Sequence, residues 1–211
     1  MKTASSSPEI IYVGDPMCSW CWGIAGELAQ LKARYAGQAG FSVLLGGLRP
    51  GGRETNRDLG GFLGHHWHQV TELSGQPISH EILENADFVY DTEPPSRAVR
   101  CLRELDSPRE YEFFQAIQEA FYVRNRDTNQ LETYLELCQK MDIDEEAFAA
   151  LYLSDEMRKA TADDFLRARQ LGISSFPTVL LRVNDEYHLV ARGYARMASM
   201  DREIAETLAL V

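Results

Sequence analysis

The sequence has no long apolar run. The first one, Ile10-Ile11-Tyr12-Val13, is only four residues. A bilayer span needs about 18 such residues, and a signal peptide needs about 7–15 behind its basic start. The chain is therefore expected in the cytoplasm, with residues 1–8 as a flexible tail. A basic excess is also missing. Against 32 Asp+Glu stand 21 Lys+Arg, for a formal net charge of −11. That balance argues against nucleic acid or membrane as partner, because both need a basic footprint. Cysteine is sparse, and four in 211 residues exclude a disulfide scaffold. The sequence contains no internal repeat and no low-complexity segment.

What is present is ordinary for a globular protein. The chain is 45% hydrophobic and 25% charged, which excludes disorder as the main state. Its length suits one domain, or one domain carrying an insertion. A compact fold of this size has a radius of gyration of roughly 17 Å and buries about 70% of the unfolded surface, enough for a core without disulfide staples.

Ile10 to Val13 reads as a buried strand stopped by Gly14-Asp15-Pro16. Ile24 to Tyr35 has Leu28, Leu31 and Tyr35 at helical spacing, and Phe41 to Leu45 is a second strand closed by Gly46-Gly47. Together these form a βαβ unit with a parallel pair. From about 55 to 171 the pattern is helical. One helix, Asn56 to Leu73, carries the stripe Leu59, Phe62, Leu63, Val70 and Leu73. Another starts at Ser107-Pro108-Arg109-Glu110 as a capping box, a third is capped by Thr128, and a fourth runs from Asp155 to a stop at Gly172. Strands return at Thr178–Val183 and Tyr187–Ala191, joined by a hairpin turn at Asn184-Asp185-Glu186, and Met197–Leu210 is a last helix. The predicted fold class is α/β, a βαβ…ββα sandwich with a large all-helical insertion. Residues 9–52 and 172–211 form the first unit. Residues 53–171 form the insertion, whose last helix is placed against the sheet.

The strongest motif is Asp15-Pro16-Met17-Cys18-Ser19-Trp20-Cys21-Trp22-Gly23, a Cys-x-x-Cys between strand and helix. The first turn of a helix leaves N–H groups unpaired at the positive end of the macrodipole. A thiol there is favoured as the reactive thiolate. The spacing lets the second sulfur reach the first, so Cys18 can attack a disulfide and Cys21 can resolve the mixed disulfide. This geometry predicts Cys18 as the exposed nucleophile and Cys21 as the buried thiol. A zinc site would need two more ligands at compatible spacing. Cys101 and Cys138 sit singly on separate helices, so no metal is expected. Asp15 either caps the first helix, with Pro16 at its first position, or lies in a loop that ends where Cys18 starts the helix. In either case its carboxylate opposes a nearby thiolate.

The second motif is Ser174-Ser175-Phe176-Pro177-Thr178, a Pro opening an apolar strand, where its missing N–H is harmless. Read alone, this bond is a plain trans turn, although X–Pro is where cis costs least.

Cys18-Ser19-Trp20-Cys21 after a strand, a helical stretch, and Phe176-Pro177-Thr178 opening a late strand resemble the DsbA-like family of the thioredoxin superfamily. The stretches Asp15–Gly23 and Tyr90-Asp91-Thr92-Glu93-Pro94-Pro95-Ser96-Arg97-Ala98 look like its cytoplasmic branch, provisionally assigned as protein-disulfide isomerases. That branch is similar in layout to 2-hydroxychromene-2-carboxylate isomerases and kappa-class glutathione transferases. The resemblance spans about residues 9–210. It implies a thioredoxin-like fold, a nucleophilic Cys18, a resolving Cys21, a cis-proline at Pro177, and Phe176 as the backbone contact for substrate. Two departures stand out. The dipeptide between the cysteines is Ser-Trp where the periplasmic oxidants have Pro-His, and Phe176 is bulkier than the usual Val or Thr. The isomerase and transferase relatives typically have Ser at the nucleophile position, so two thiols here favour dithiol redox chemistry.

Other residues invite a bland reading. His65, His66 and His68 cannot converge on one ion from one helix. His66 falls on the apolar stripe, packed or lining the active-site groove, and the other two read as surface residues. Trp20 either forms an apolar rim for substrate or packs helix against insertion. Trp22 reads as core, Cys101 and Cys138 as inert buried thiols, and the acidic run 142–146 as a solvated helix start.

The sequence therefore predicts a thiol-disulfide oxidoreductase of the disulfide-isomerase kind. Cys18 and Cys21 are catalytic, and Trp20, Phe176 and Pro177 bind substrate. The partners are protein or small-molecule thiols and disulfides. No cofactor is required beyond the redox-active disulfide, with glutathione a candidate co-substrate. Two alternatives stay open: a glutathione-dependent isomerase or transferase of the same fold, and a redox-switchable adaptor. Oligomeric state is not encoded legibly.

Overall fold

The computed structural model describes residues 7–210. Residues 1–6 of the expected tail, and Val211, lie outside the described residues. Strand β1 (Glu9–Gly14) leads into helix α1 (Ser19–Gly23), helix α2 (Ala25–Arg34) and strand β2 (Gly40–Leu45). Six helices follow: α3 (Asn56–Ser74), α4 (Glu93–Asp106), α5 (Glu110–Tyr122), α6 (Leu131–Lys140), α7 (Glu145–Leu153) and α8 (Asp155–Gln170). The chain closes with β3 (Thr178–Val183), β4 (Glu186–Arg192) and α9 (Met197–Leu210). The fold is α/β, in the predicted βαβ…ββα order.

The sheet order is β2-β1-β3-β4. β1 pairs parallel with β2 (Tyr12 opposite Val43) and antiparallel with β3 (Tyr12 opposite Val179). Asn184 and Asp185 take left-handed φ values of 50° and 66° and close the β3–β4 hairpin, a conformation that Asn and Asp tolerate well. Alternation along β1 sends its residues to both faces. Ile10 and Tyr12 join the largest core cluster with Leu28 and Leu31 of α2, Phe114 of α5 and Met200 of α9. Ile11 and Val13 join Leu44, Leu180 and Ala168 of α8 in a smaller cluster on the opposite face. β2 is an edge strand, and such edges invite unwanted pairing. Here Arg103 of α4 donates to the Val43 carbonyl (3.0 Å), and Asp164 of α8 accepts from the Leu45 N–H (3.4 Å). The same two side chains pair at 2.8 Å.

Three local expectations are corrected. The buried face of α3 runs through Asn56, Trp67 and Val70, with Leu59 and Leu63 of the predicted stripe packed beside it, while Phe62 and Leu73 are 61% and 54% exposed. The fully buried Trp67 sets the helix's rotation by packing edge-on against Tyr122 and Phe121. Ser107-Pro108-Arg109 is a 3-10 turn without a side-chain cap, and Glu110 pairs at 2.7 Å with Arg103. Thr128 caps no helix, since α6 begins at Leu131 after Gln130. Helix α4, which sequence reasoning did not delimit, carries Pro94 and Pro95 near its start. Both sit in its first turn, where Pro removes no intrahelical bond. Asp144 caps α7 through two 3.0 Å bonds from Glu146 and Ala147 N–H.

Candidate active site

The chain leaves β1 at Gly14 and turns through Asp15-Pro16-Met17. The Cys18 N–H donates to the Asp15 carbonyl at 3.0 Å. Cys18 is the N-cap of α1, with an extended backbone (φ −81°, ψ 116°), and its carbonyl accepts the first helical bond from Trp22 at 3.1 Å. Of the two readings of the helix start, the structure follows the one in which Asp15 and Pro16 are loop.

Asp15 is a brace for that loop. Its carboxylate, fully buried, accepts from the Met17 N–H (2.9 Å) and the Leu48 N–H (2.7 Å). One oxygen therefore holds the turn before Cys18, and the other holds the loop after β2. Burial raises the Asp15 carboxyl to about 6, against the opposing pull of these N–H donors.

The Cys18 Sγ donates to the Phe176 carbonyl at 3.6 Å, across 158 positions of sequence. The Phe176–Pro177 peptide bond is cis. The Phe176 ring lies against Gly46, where a Cβ would come within 2.1 Å of it, so any larger residue would displace the ring. Cys21 follows on the first turn of α1, buried beside Cys18. Its thiol is pushed well up, by burial first and by Cys18 second. The Tyr12 hydroxyl of β1 stands beside it and is itself raised, chiefly by burial.

Exposure corrects one expectation. Cys18 is only 6% exposed, against 1% for Cys21, because its sulfur is turned inward onto the Phe176 carbonyl. Trp20 is half-buried, with its ring 6.4 Å from that of Tyr194. Trp22 is buried, stacked on Tyr122 at 6.1 Å, and donates its indole N–H to the Pro77 carbonyl at 2.9 Å. Cys18, Cys21, Trp20, Phe176 and Pro177 thus come from two ends of the chain, with Cys18 touching Phe176 directly.

The remaining candidates lie elsewhere. His66 is half-buried against Phe62 at 4.2 Å, and His68 faces His80 at 4.5 Å. Among the described residues no group of three or more His, Cys, Asp or Glu is placed to hold a metal. Cys101 and Cys138 are fully buried free thiols, pushed up to about 12 by burial. Sequence reasoning missed Tyr90 and Tyr122, which reach the turn before Cys18 from 73 and 105 positions away. Tyr90 falls in the stretch quoted for its resemblance, but nothing in its spacing relates it to the cysteines.

A family model described as thioredoxin matches residues 11–201. The structure is similar to that of a Nitrosomonas europaea protein provisionally assigned as a protein disulfide isomerase. That protein is 32% identical, covering 97% of this chain and 99% of the other, with a TM-score of 0.89. It is also similar to the cytosolic disulfide reductase DsbM of Pseudomonas aeruginosa, solved with glutathione: 25% identity, 96% and 100% coverage, TM-score 0.76. A 2-hydroxychromene-2-carboxylate isomerase shares the fold at 14% identity, with 95% and 93% coverage and a TM-score of 0.60. No curated protein matches the chain. Among the described residues no helix is long and apolar enough to cross a membrane.

Proposed function

The chain belongs to the thioredoxin family, and from that premise we propose that it exchanges disulfides through Cys18 and Cys21, with glutathione as co-substrate. At the general level the family match and its disulfide-isomerase and disulfide-reductase neighbours support a thiol-disulfide oxidoreductase. The observation that carries the finer reading is the placement of both thiols at the start of α1, with the Cys18 sulfur on the Phe176 carbonyl.

The Cys18 thiolate attacks one sulfur of a substrate disulfide, forming a mixed disulfide and expelling the other sulfur as a thiolate that takes up a proton. Cys21 then loses its proton and attacks the Cys18 sulfur. The Cys18–Cys21 disulfide forms, and the substrate leaves as a dithiol. Two glutathione molecules return the pair to thiols and become glutathione disulfide, so electrons and protons balance. Burial keeps Cys21 protonated at rest, which holds it in reserve until the mixed disulfide forms. The substrate chain replaces the Cys18 sulfur at the Phe176 carbonyl, beside Pro177, and Trp20 supplies an apolar edge. The description of DsbM as cytosolic supports a cytoplasmic setting for the reaction.

The test is Cys18→Ser in a glutathione-coupled insulin reduction assay. The variant should lose activity, and unchanged turnover would overturn the reading. That the neighbour solved with glutathione is a disulfide reductase favours exchange over the second reading, a glutathione-dependent isomerase or transferase. Full turnover of Cys21→Ser on a small substrate would select it.

A further inference from the structure

Every polar group of Met17, the residue before Cys18, is engaged by a side chain outside the Cys-x-x-Cys itself. Its N–H donates to Asp15 Oδ1 at 2.9 Å. Its carbonyl accepts from the Tyr90 hydroxyl and from the Tyr122 hydroxyl, each at 2.6 Å. Its Sδ accepts from Thr128 Oγ1 at 3.3 Å. Met17, Thr128 and Tyr122 are fully buried and Tyr90 almost so. Two phenolic donors on one carbonyl is a saturated arrangement, since a carbonyl oxygen has two lone pairs. Three of these four partners come from residues 90–128, in the helical stretch between β2 and β3.

We infer that Tyr90 and Tyr122 are positioning residues, which clamp the Met17 carbonyl so that the helical segment fixes the turn presenting the Cys18 sulfur in the dithiol form. The inference rests on the proposed roles of Cys18 and Cys21. Met17 and Cys18 share one peptide unit, so the plane held by the two hydroxyls is also the plane from which the Cys18 N–H reaches the Asp15 carbonyl. Rotation of the Cys18 backbone is thereby restricted at its N-terminal side. The sulfur of the dithiol form points to the Phe176 carbonyl. In the disulfide that sulfur has no proton to donate, so the contact with the Phe176 carbonyl that the clamped turn supports is made only in the dithiol. The clamp therefore favours the dithiol over the disulfide. Both tyrosines stay protonated, and so remain donors, because burial raises their hydroxyls.

A scaffold contact and a positioning contact give different readouts. A contact that merely holds the fold together stabilises thiol and disulfide forms alike and leaves their equilibrium with glutathione unmoved. A contact made better in one form shifts that equilibrium by the difference. Tyr90→Phe and Tyr122→Phe each remove one hydroxyl and keep the ring, including the stacking of Tyr122 on Trp22. The equilibrium constant of the pair in glutathione buffers, and the melting temperature of each redox form, are measured for wild type, both single variants and the double variant. If the double variant does not fold, the single ones carry the test. Each substitution is expected to shift the equilibrium toward the disulfide, by up to about fivefold per hydroxyl if the bond is wholly lost in the disulfide form, and to lower the melting temperature of the dithiol form more. An unmoved equilibrium with both forms destabilised equally, or a shift toward the dithiol, overturns the inference. A wild-type protein that never equilibrates with glutathione fails earlier, at the proposed function itself.

Discussion

The four cysteines form two pairs that burial alone does not tell apart. Cys18 and Cys21 are 6% and 1% exposed, and Cys101 and Cys138 are fully buried. What separates them is what surrounds each sulfur. Cys101 lies within α4 and Cys138 within α6, in an apolar core that pushes both thiols up to about 12. A thiol held that high offers almost no nucleophile at neutral pH. Cys18 instead is the N-cap of α1, one turn before Cys21 and in contact with a backbone carbonyl from the far end of the chain. Reactivity is therefore read from position on an element and from partners, with accessible area a poor guide.

The sharpest way to break this contrast is to exchange one cysteine at a time. Cys18→Ser should reduce exchange to the uncatalysed level, while Cys101→Ala and Cys138→Ala should exchange at the wild-type rate. If an α4 or α6 replacement removed activity, the division of the pairs would be wrong. Cys21→Ser should have an intermediate effect, with the first step preserved and the second lost. Mass spectrometry after exposure to glutathione disulfide should then find one glutathione per chain, on Cys18.

A smaller effect concerns Asp15. Its folded carboxyl titrates at about 6, against 3.8 for a free one. Holding the proton more tightly when folded means that Asp15 contributes stability fully below about pH 4, and that this is lost as pH rises through 6. The difference corresponds to about 3 kcal/mol. In urea unfolding, the stability of the wild type relative to Asp15→Asn should fall by that order between pH 4 and 7. A pH-independent difference would show that the carboxyl is not shifted. The smallest effect is expected from Cys101→Ala or Cys138→Ala on stability, about 1 kcal/mol for one deleted buried sulfur, measured by the same unfolding.

The catalytic turn was legible because its information is local. A short β-branched strand, Gly14-Asp15-Pro16 and a Cys-x-x-Cys fix strand, turn and helix within 15 residues. The β3–β4 hairpin was legible for the same reason, through Asn184 and Asp185. Helical periodicity showed that residues 55–171 are largely helices and put Leu59, Leu63 and Val70 of α3 inward, but it misplaced Phe62 and Leu73 and overlooked Trp67. The inward face is set by Trp67 against Tyr122, 55 positions away, and not by the number of apolar residues on a stripe. Thr128 and the Ser107 turn failed for a related reason. Each has capping chemistry, and each is used otherwise: Thr128 reaches the Met17 sulfur, and Glu110 reaches Arg103. The covering of Cys18 by Phe176 and the grip on Met17 are contacts across more than 70 positions, which no window along the sequence contains.

The most direct test of the central claim is to equilibrate the protein in glutathione buffers of graded potential, quench by acid, and map the redox state of each cysteine by mass spectrometry. The account predicts a two-electron oxidation confined to a Cys18–Cys21 disulfide, with Cys101 and Cys138 remaining thiols throughout. Oxidation appearing at Cys101 or Cys138 with Cys18 and Cys21 still reduced would contradict it.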